Sequence, residues 1–437
     1  MTEPGPLHPP PRPVPFIPDP RAELPDGAEV VIIGAGLVGA WTAYHLARDG
    51  VRALVLEANA PAWGASGRNA GMALAGLGGH YPRAATLARA AGARIADYTC
   101  RSLDLIEAAD DALPGGVEWQ RTGSLDVFTD DDQARHGSAL AAMQREDGLD
   151  ARVIDADELL DLAPALDHSV AIGAKWTPRD GKLNPFRLVY RLLEAAVARG
   201  ARVATGVRIE RIRAAGGRIA GVDTSHGPVA AGAVLVAANA WTPSLVPHLR
   251  GALTPIREHV CVTEPLPPLL SPGVETNRCN EYWRQMASGE LVVGGYAVCD
   301  EGFGIGHYEM VVHPDLPPLL AAHLERFHPA SADVRIVRCW SGLLDFASLE
   351  MPLAGSLPAA DGTRVPGGYL VCGLTGHGHP YAPILGLLMA ELIQHGDART
   401  LPLTPFDPGR YVGREHSPTW LEPFGGADHR AGAPLER

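Results

Sequence analysis

Residues 29–57 read EVVIIGAGLVGAWTAYHLARDGVRALVLE, and the order of their parts decides the fold. Val30 to Ile33 is a β-branched apolar run, the pattern of a strand covered on both faces. Glycines follow at 34, 36 and 39, then an amphipathic helix that stops at Gly50, then a second apolar strand with Glu57 at its end. Gly34 permits the tight turn, Gly36 lets the backbone approach a pyrophosphate, and Gly39 lets helix and strand pack closely. Leu37 and Val38 open the helix, whose N-terminal amides and dipole favour an anion. Glu57 lies eighteen residues beyond Gly39, where a carboxylate accepts the hydroxyls of a ribose. It would repel a 2′-phosphate, which argues against NADP. The motif alone leaves open which other dinucleotide is held.

The rest of the composition narrows the class. A chain of 437 residues exceeds what one hydrophobic core usually serves, so two domains are expected. Apolar residues make up 46%, yet no stretch reaches the length of about 18 to 20 apolar residues that spans a bilayer, so no membrane partner is expected. The net charge of −13 and the lack of any dense Lys/Arg run exclude nucleic acid as an expected partner. The six cysteines are scattered without a CxxC pair, and the seventeen histidines show no HExxH spacing. Neither a metal site nor a disulfide framework is predicted, and a reducing cytoplasm is the expected compartment.

Several segments flank the opening motif. Residues 1–28 are dense in proline and read as an extended arm. The loop PAWGASGRNAGM, 61–72, is built of small residues able to press against a flat ligand. One long helix is predicted over 83–110, a strand pair over 117–129, and a helix over 131–150. DADELLDLAPAL, 155–166, starts at an Asp cap, and 180–200 is a helix with Pro185 near its start and Gly200 as its stop. A β-ribbon is predicted over 201–241 and a buried strand over 291–296. Residues 367–396, GGYLVCGLTGHGHPYAPILGLLMAELIQHG, repeat the strand, glycine turn and helix of the beginning.

The plan is therefore discontinuous. Nucleotide segments are expected at 29–100, 150–245 and 336–400, substrate segments at 101–149 and 246–335, and a tail at 401–437. The predicted class is α/β, with a Rossmann-like nucleotide domain and an inserted α+β domain on an antiparallel sheet.

Four separated signatures carry a family likeness: VIIGAGLVGAWTAYHLA with Glu57, GASGRNAG at 64–71, TGVRIERI at 205–212 with GAVLVAANAW at 232–241, and GGYLVCGLTGHGHPYAPILGLLMAELI at 367–393. Over about residues 28–396 the chain resembles the FAD-dependent amine and amino-acid oxidoreductases related to D-amino-acid, glycine and sarcosine oxidases, most nearly the γ-glutamylputrescine-oxidase-like branch. The resemblance implies FAD. It implies contacts to it from Gly34, Gly36, Leu37, Val38 and Gly39, from Glu57 and Ala58, and from Gly64, Ala65, Ser66, Arg68, Asn69, Ala70 and Gly71. Val207, Ala238 and Trp241 join these, with Gly342, Gly373, Thr375, Gly376, His377 and Gly378 along the ring. The turn 376–378 can be read independently, because a glycine-rich helix N-terminus aims amides and a positive dipole at a reduced ring bearing negative charge.

In this family the implied reaction is hydride transfer from the carbon beside an amine nitrogen to the flavin, giving an imine that water hydrolyses, with O2 reduced to H2O2. A dehydrogenase with another electron acceptor is the alternative. A nicotinamide-dependent dehydrogenase and a non-catalytic dinucleotide sensor would share the opening motif. Positioning carries most of such chemistry, and the insert offers Arg257, His259, Tyr282, Arg284, Tyr296 and His307. Arg284 can grip a substrate carboxylate bidentately, and His259 can hold or deprotonate an ammonium. Equally, Arg257 can serve the fold through Glu258 or Glu264, and Tyr296 can simply fill a sheet.

Three departures from the family pattern stand out. Sarcosine-oxidase-type members place a lysine over the flavin, but 297–309 has none, and the only lysines are Lys175 and Lys182. Cys339 lies near where monomeric sarcosine oxidases bond the flavin covalently; a buried structural thiol is the competing reading. Glu350 stands where relatives carry aspartate before the proline.

Overall fold

The computed structural model describes residues 24–276, 281–295 and 304–414. Two large sheets organise them. The first has the order Leu353–Pro358, Arg364–Cys372, Gly227–Val236, Gly27–Ile33, Ala53–Glu57 and Arg202–Thr205, with the hairpin Ile209–Ala215 and Arg218–Thr224 joined to Gly227–Val236. Gly27–Ile33 pairs in parallel with both neighbours, Val31 lying opposite Val234 on one side and Leu54 on the other. Such a strand has no solvated face, which is why Val30 to Ile33 is continuously apolar and buried.

Helices cover one face of this sheet. Leu37–Arg48 is buried from Leu37 to Ala47 and packs against Gly378–His395 and Pro185–Val197. Gly386 allows the first of these approaches: a Cβ there would lie 2.5 Å from that of Trp41. Each large side chain fully buried in this core is worth about 1.5–3 kcal/mol in transfer free energy. Gly396, at φ 77°, ends the last helix with its amide on Leu392 O.

The second sheet runs Ile336–Ala347, Leu253–Pro265, Glu290–Gly294, Tyr282–Gln285, Gly273–Thr276, Ser124–Phe128, Gly173–Thr177 and Arg152–Ile154. All its described pairings are antiparallel except that of Gly273–Thr276 with Ser124–Phe128. The architecture is thus a discontinuous Rossmann-like α/β unit with an inserted sheet-rich unit. Three stretches expected in the nucleotide segments, 152–154, 173–177 and 336–347, are strands of this second sheet instead. Alternating short strands carry no local mark of which sheet they join.

Local corrections follow the same logic. The helix expected over 83–110 is two, Tyr81–Ala90 and Ile95–Ala112, separated at Gly92 with φ 75°. Of the strand pair expected over 117–129, only Ser124–Phe128 forms; before it, Gln120 makes an isolated bridge to Lys182. Cys261 and Cys339, 78 residues apart, lie directly opposite on neighbouring strands with Cα atoms 4.2 Å apart and are disulfide-bonded, contrary to the expectation of no disulfide. No described helix is long and apolar enough to cross a membrane, and among the described residues no His, Cys, Asp and Glu cluster could hold a metal ion.

Candidate active site

Between the two sheets lies a cavity of about 670 Å³, within the range of cofactor and small-ligand sites. Gly34, Gly36, Leu37 and Val38 line it from the first turn, and Leu374, Thr375, Gly376, His377 and Gly378 from the last. The N-termini of two helices therefore open on one space, although 340 residues of chain separate the turns. Gly34 has φ 106°, and a Cβ on it would lie 2.5 Å from Ala237 O. At Gly36 a Cβ would lie 2.8 Å from Ser66 Oγ, the oxygen that accepts from Leu37 N at 2.8 Å. Gly39 does not line the cavity; a side chain there would overlap the Gly34 carbonyl, so its role is packing of the turn onto its helix.

Glu57 and Ala58 line the cavity beside Val207 and Arg208. Glu57 Oε2 accepts from Ala35 N at 2.9 Å and Oε1 from Asn59 N at 2.8 Å. Burial pushes this carboxyl above the usual range, while the amides of Ala35, Asn59 and Ala58 pull it back. The carboxylate is thereby fixed at the strand end.

Gly64, Ala65, Ser66, Arg68, Asn69, Ala70 and Gly71 line the next section. Their loop is held from several elements. Arg68 donates to Trp63 O at 2.8 Å and Ser341 O at 2.9 Å. Asn69 Nδ2 donates to Ala65 O and Ser66 O, and its Oδ1 accepts from Gly71 N at 2.8 Å. His379 Nε2 lies 3.0 Å from the same Oδ1, which ties the loop to the last helix. Burial, with Arg284 nearby, lowers the His379 pKa to about 4, so the ring is neutral at pH 7 and its Nε2–H can donate. His377 is neutral as well, lowered to about 3 by burial and by His80, with Nδ1 2.8 Å from Thr375 O.

Ala238, Trp241 and Gly342 also line the cavity, whereas Gly373 does not. Its amide donates to Asp345, a lining residue whose carboxyl also accepts from Leu374 N at 3.1 Å and whose carbonyl accepts from Thr375 N at 3.0 Å. Burial pushes Asp345 up to about 7, against the pull of the Gly373 and Leu374 amides. This residue, unmarked in the sequence reading, shapes the last turn from the second sheet.

The substrate-facing expectations fare differently. Arg284 does not line the cavity: its guanidinium donates to Ala70 O and to Leu183 O, the latter at 3.0 Å. It fastens the loop 64–71 through Ala70 O, and burial lowers its pKa to about 10. His259 is fully buried, with Nε2 accepting from His313 N at 3.3 Å. His307 is exposed, 3.8 Å from Glu309, and Arg257 donates to Glu309 O. Tyr296 lies outside the described residues. Cys339 is bonded to Cys261 and is not a lining residue, so it offers no thiol for covalent flavin attachment. Of the five insert residues that are described, only Tyr282 reaches the cavity.

Other side chains take that wall. His80, Glu258, Glu275, Thr276, Glu281, Leu344 and Phe346 line it. His80 Nδ1 lies 3.2 Å from Glu350 Oε2, and its ring meets Phe346 and His377 at centroid distances of 5.8 and 5.2 Å. Leu77, before this turn, and Glu350 itself both adopt positive φ, 52° and 57°. Non-glycine residues there cost of order 1–3 kcal/mol each and persist where surrounding structure enforces them.

The cavity thus offers two helix N-termini, a fixed carboxylate and glycines that admit no side chain, a set that suits a diphosphate, a ribose and a flat ring. The comparisons agree. A family model described as FAD dependent oxidoreductase (DAO) matches residues 29–392. Hydrogen cyanide synthase subunit HcnC of Pseudomonas aeruginosa is 27% identical over 88% of this chain and 96% of its own. Glycine oxidase of Geobacillus kaustophilus is 26% identical over 88% and 98%. The crystal structure of L-proline dehydrogenase from P. horikoshii superposes with a TM-score of 0.78 at 23% identity, covering 90% of this chain and 100% of that one, a likeness of fold. On the match to the family model over most of its length, and with the cavity those motifs enclose, this chain belongs to the DAO family of FAD-dependent oxidoreductases.

Proposed function

We propose that the protein is an oxidase of amines or amino acids, taking hydride from the carbon beside nitrogen, with water hydrolysing the imine and O2 reduced to H2O2. Bound FAD would supply the electron sink. The observation that carries this reading is the convergence of Gly34–Val38 and Leu374–Gly378 on one cavity whose remaining wall comes from the inserted sheet. The first turn, Glu57 and the loop 64–71 would hold FAD, and the last turn would face its ring. The finer likeness to the γ-glutamylputrescine-oxidase-like branch rests on the four sequence motifs alone.

An amine must be neutral when hydride leaves, so a proton acceptor is needed beside it. His80 is the lining group suited to this: Glu350 fixes Nδ1 at 3.2 Å, which leaves Nε2 as the acceptor. This differs from the expectation that His259 would do so. The dehydrogenase reading draws support from the lysines. None lines the cavity among the described residues, and Lys182 Nζ is bonded to Ser271 O at 2.8 Å and Gln285 O at 3.1 Å.

Anaerobic mixing of the yellow holoenzyme with a panel of amines tests the proposal through loss of absorbance near about 450 nm. Bleaching by at least one amine is expected, and none by any of them would overturn it. In air, peroxide that disappears with catalase marks the oxidase; bleaching without peroxide marks the dehydrogenase.

A further inference from the structure

Glu275 is the least accounted-for ionisable group in the cavity. It sits in the short strand Gly273–Thr276 and lines the space opposite the Gly78 turn, where a Cβ on Gly78 would lie 3.6 Å from Oε2 and 3.8 Å from Oε1. Its carboxyl makes no hydrogen bond or ion pair with any described residue. Nearby acids are satisfied: Glu281 accepts from Thr276 Oγ1, and Asp180 accepts from Ser124 Oγ at 2.6 Å and Ala75 N at 2.7 Å. The residue is only partly buried and opens on the cavity, where the cationic group of a ligand can pair with it.

We infer that the cavity takes an amine carrying a second, non-reacting cationic group, and that Glu275 is the side chain that receives that group. The inference rests on the amine-oxidising reading above and names its substrate class. Three further observations support it. Leu74, Leu77, Leu344 and Phe346 line the same cavity and offer apolar surface to a methylene chain. Arg284, the side chain expected to hold a carboxylate, faces away onto backbone carbonyls. The described arginines that do line the cavity, Arg68 and Arg208, belong to the flavin loop and to the Val207 end. Burial and Asp126 push Glu275 up to about 8 against the pull of Lys175, with Asp180 adding to the rise. A cation arriving beside the carboxyl would favour its charged form.

The holoenzyme is tested first with two inert ligands of matched length, butyltrimethylammonium and butyrate, followed through the flavin spectrum. The cation should bind at least tenfold more tightly, and equal or tighter binding of butyrate would overturn the inference. This arm needs no turnover, so it separates failure of the inference from failure of amine oxidation. Anaerobic reduction is then compared for 1,4-diaminobutane, butylamine and 4-aminobutyrate. The diamine should reduce the flavin at least tenfold more efficiently than butylamine, with 4-aminobutyrate slowest. Glu275→Gln should collapse the diamine-to-butylamine ratio of kcat/KM by tenfold or more. A ratio unmoved by that substitution, or a wild type that favours 4-aminobutyrate, would sink it; should the variant not fold, the wild-type comparisons decide alone.

Discussion

The two walls of the cavity recognise by different means. The nucleotide wall is made largely of backbone, with Gly34, Gly36, Gly376 and Gly378 at two helix N-termini and the loop 64–71 between them. The opposite wall is made of side chains, with His80, Glu275, Tyr282, Leu344 and Phe346 drawn from different strands and turns. Backbone recognition needs residues close in sequence, because a turn and the first amides of a helix are contiguous. Side-chain recognition needs only nearness in space. One wall is accordingly a motif, and the other a coincidence of pleat and register.

The sharpest way to break that contrast is at Gly39, which touches no ligand space yet sets the nucleotide wall. Gly39→Ala would press a methyl into the Gly34 carbonyl. The expected result is loss of flavin from the purified protein, or no folded protein at all. Yellow protein with normal FAD content, measured by absorbance after gel filtration, would show that the wall does not depend on this packing.

Arg284 sharpens the contrast from the other side. Its bonds to Ala70 O and Leu183 O make it part of the nucleotide wall's support. Arg284→Met should destabilise the fold by roughly 2–4 kcal/mol, the order expected for losing charged hydrogen bonds to buried carbonyls. FAD should dissociate more readily, while preference between carboxylate-bearing and other amines stays put. A selective loss of carboxylate-bearing substrates would return Arg284 to the substrate wall.

A smaller effect is expected from His379, which joins the last helix to Asn69. Its pKa is lowered from about 6.5 in the unfolded chain to about 4 in the fold. The neutral form therefore contributes stability that is complete above pH 6.5 and is lost as pH falls towards 4, since the unfolded chain binds the proton first. The loss attributable to this fully buried ring is about 2 kcal/mol at pH 5. Thermal unfolding between pH 7 and 5 should show a steeper decline in the wild type than in His379→Leu. Parallel declines would mean that the ring is not held neutral.

The two walls were not equally legible. Most residues expected around FAD line the cavity; Gly39, Gly373 and Cys339 do not, for reasons of packing, capping and cross-strand pairing respectively. Substrate-facing expectations met the cavity less often: Arg257 and His259 lie on the strand face opposite the lining Glu258, and Arg284 shares the face of Tyr282 but sits farther along its strand, over Ala70 O and Leu183 O. A strand segment read alone does not reveal which of its faces the cavity will occupy. His80 and Asp345 were overlooked because neither lies in a ligand motif; one depends on Glu350, 270 residues away, and the other on a turn 28 residues later.

What the amino-acid sequence determined unaided was the pair of strand–turn–helix units, at 29–57 and 367–396, and with them a dinucleotide-binding character. Glycine spacing, apolar runs and a terminal acid act within a few turns of chain, so their physics is local. What only the tertiary structure decided was the far wall: the sheet to which 152–154, 173–177 and 336–347 belong, the turning of Arg284 onto carbonyl oxygens, and the arrival of Glu275 at the cavity. Those outcomes depend on strand order and register, which are fixed by contacts between segments far apart in the chain.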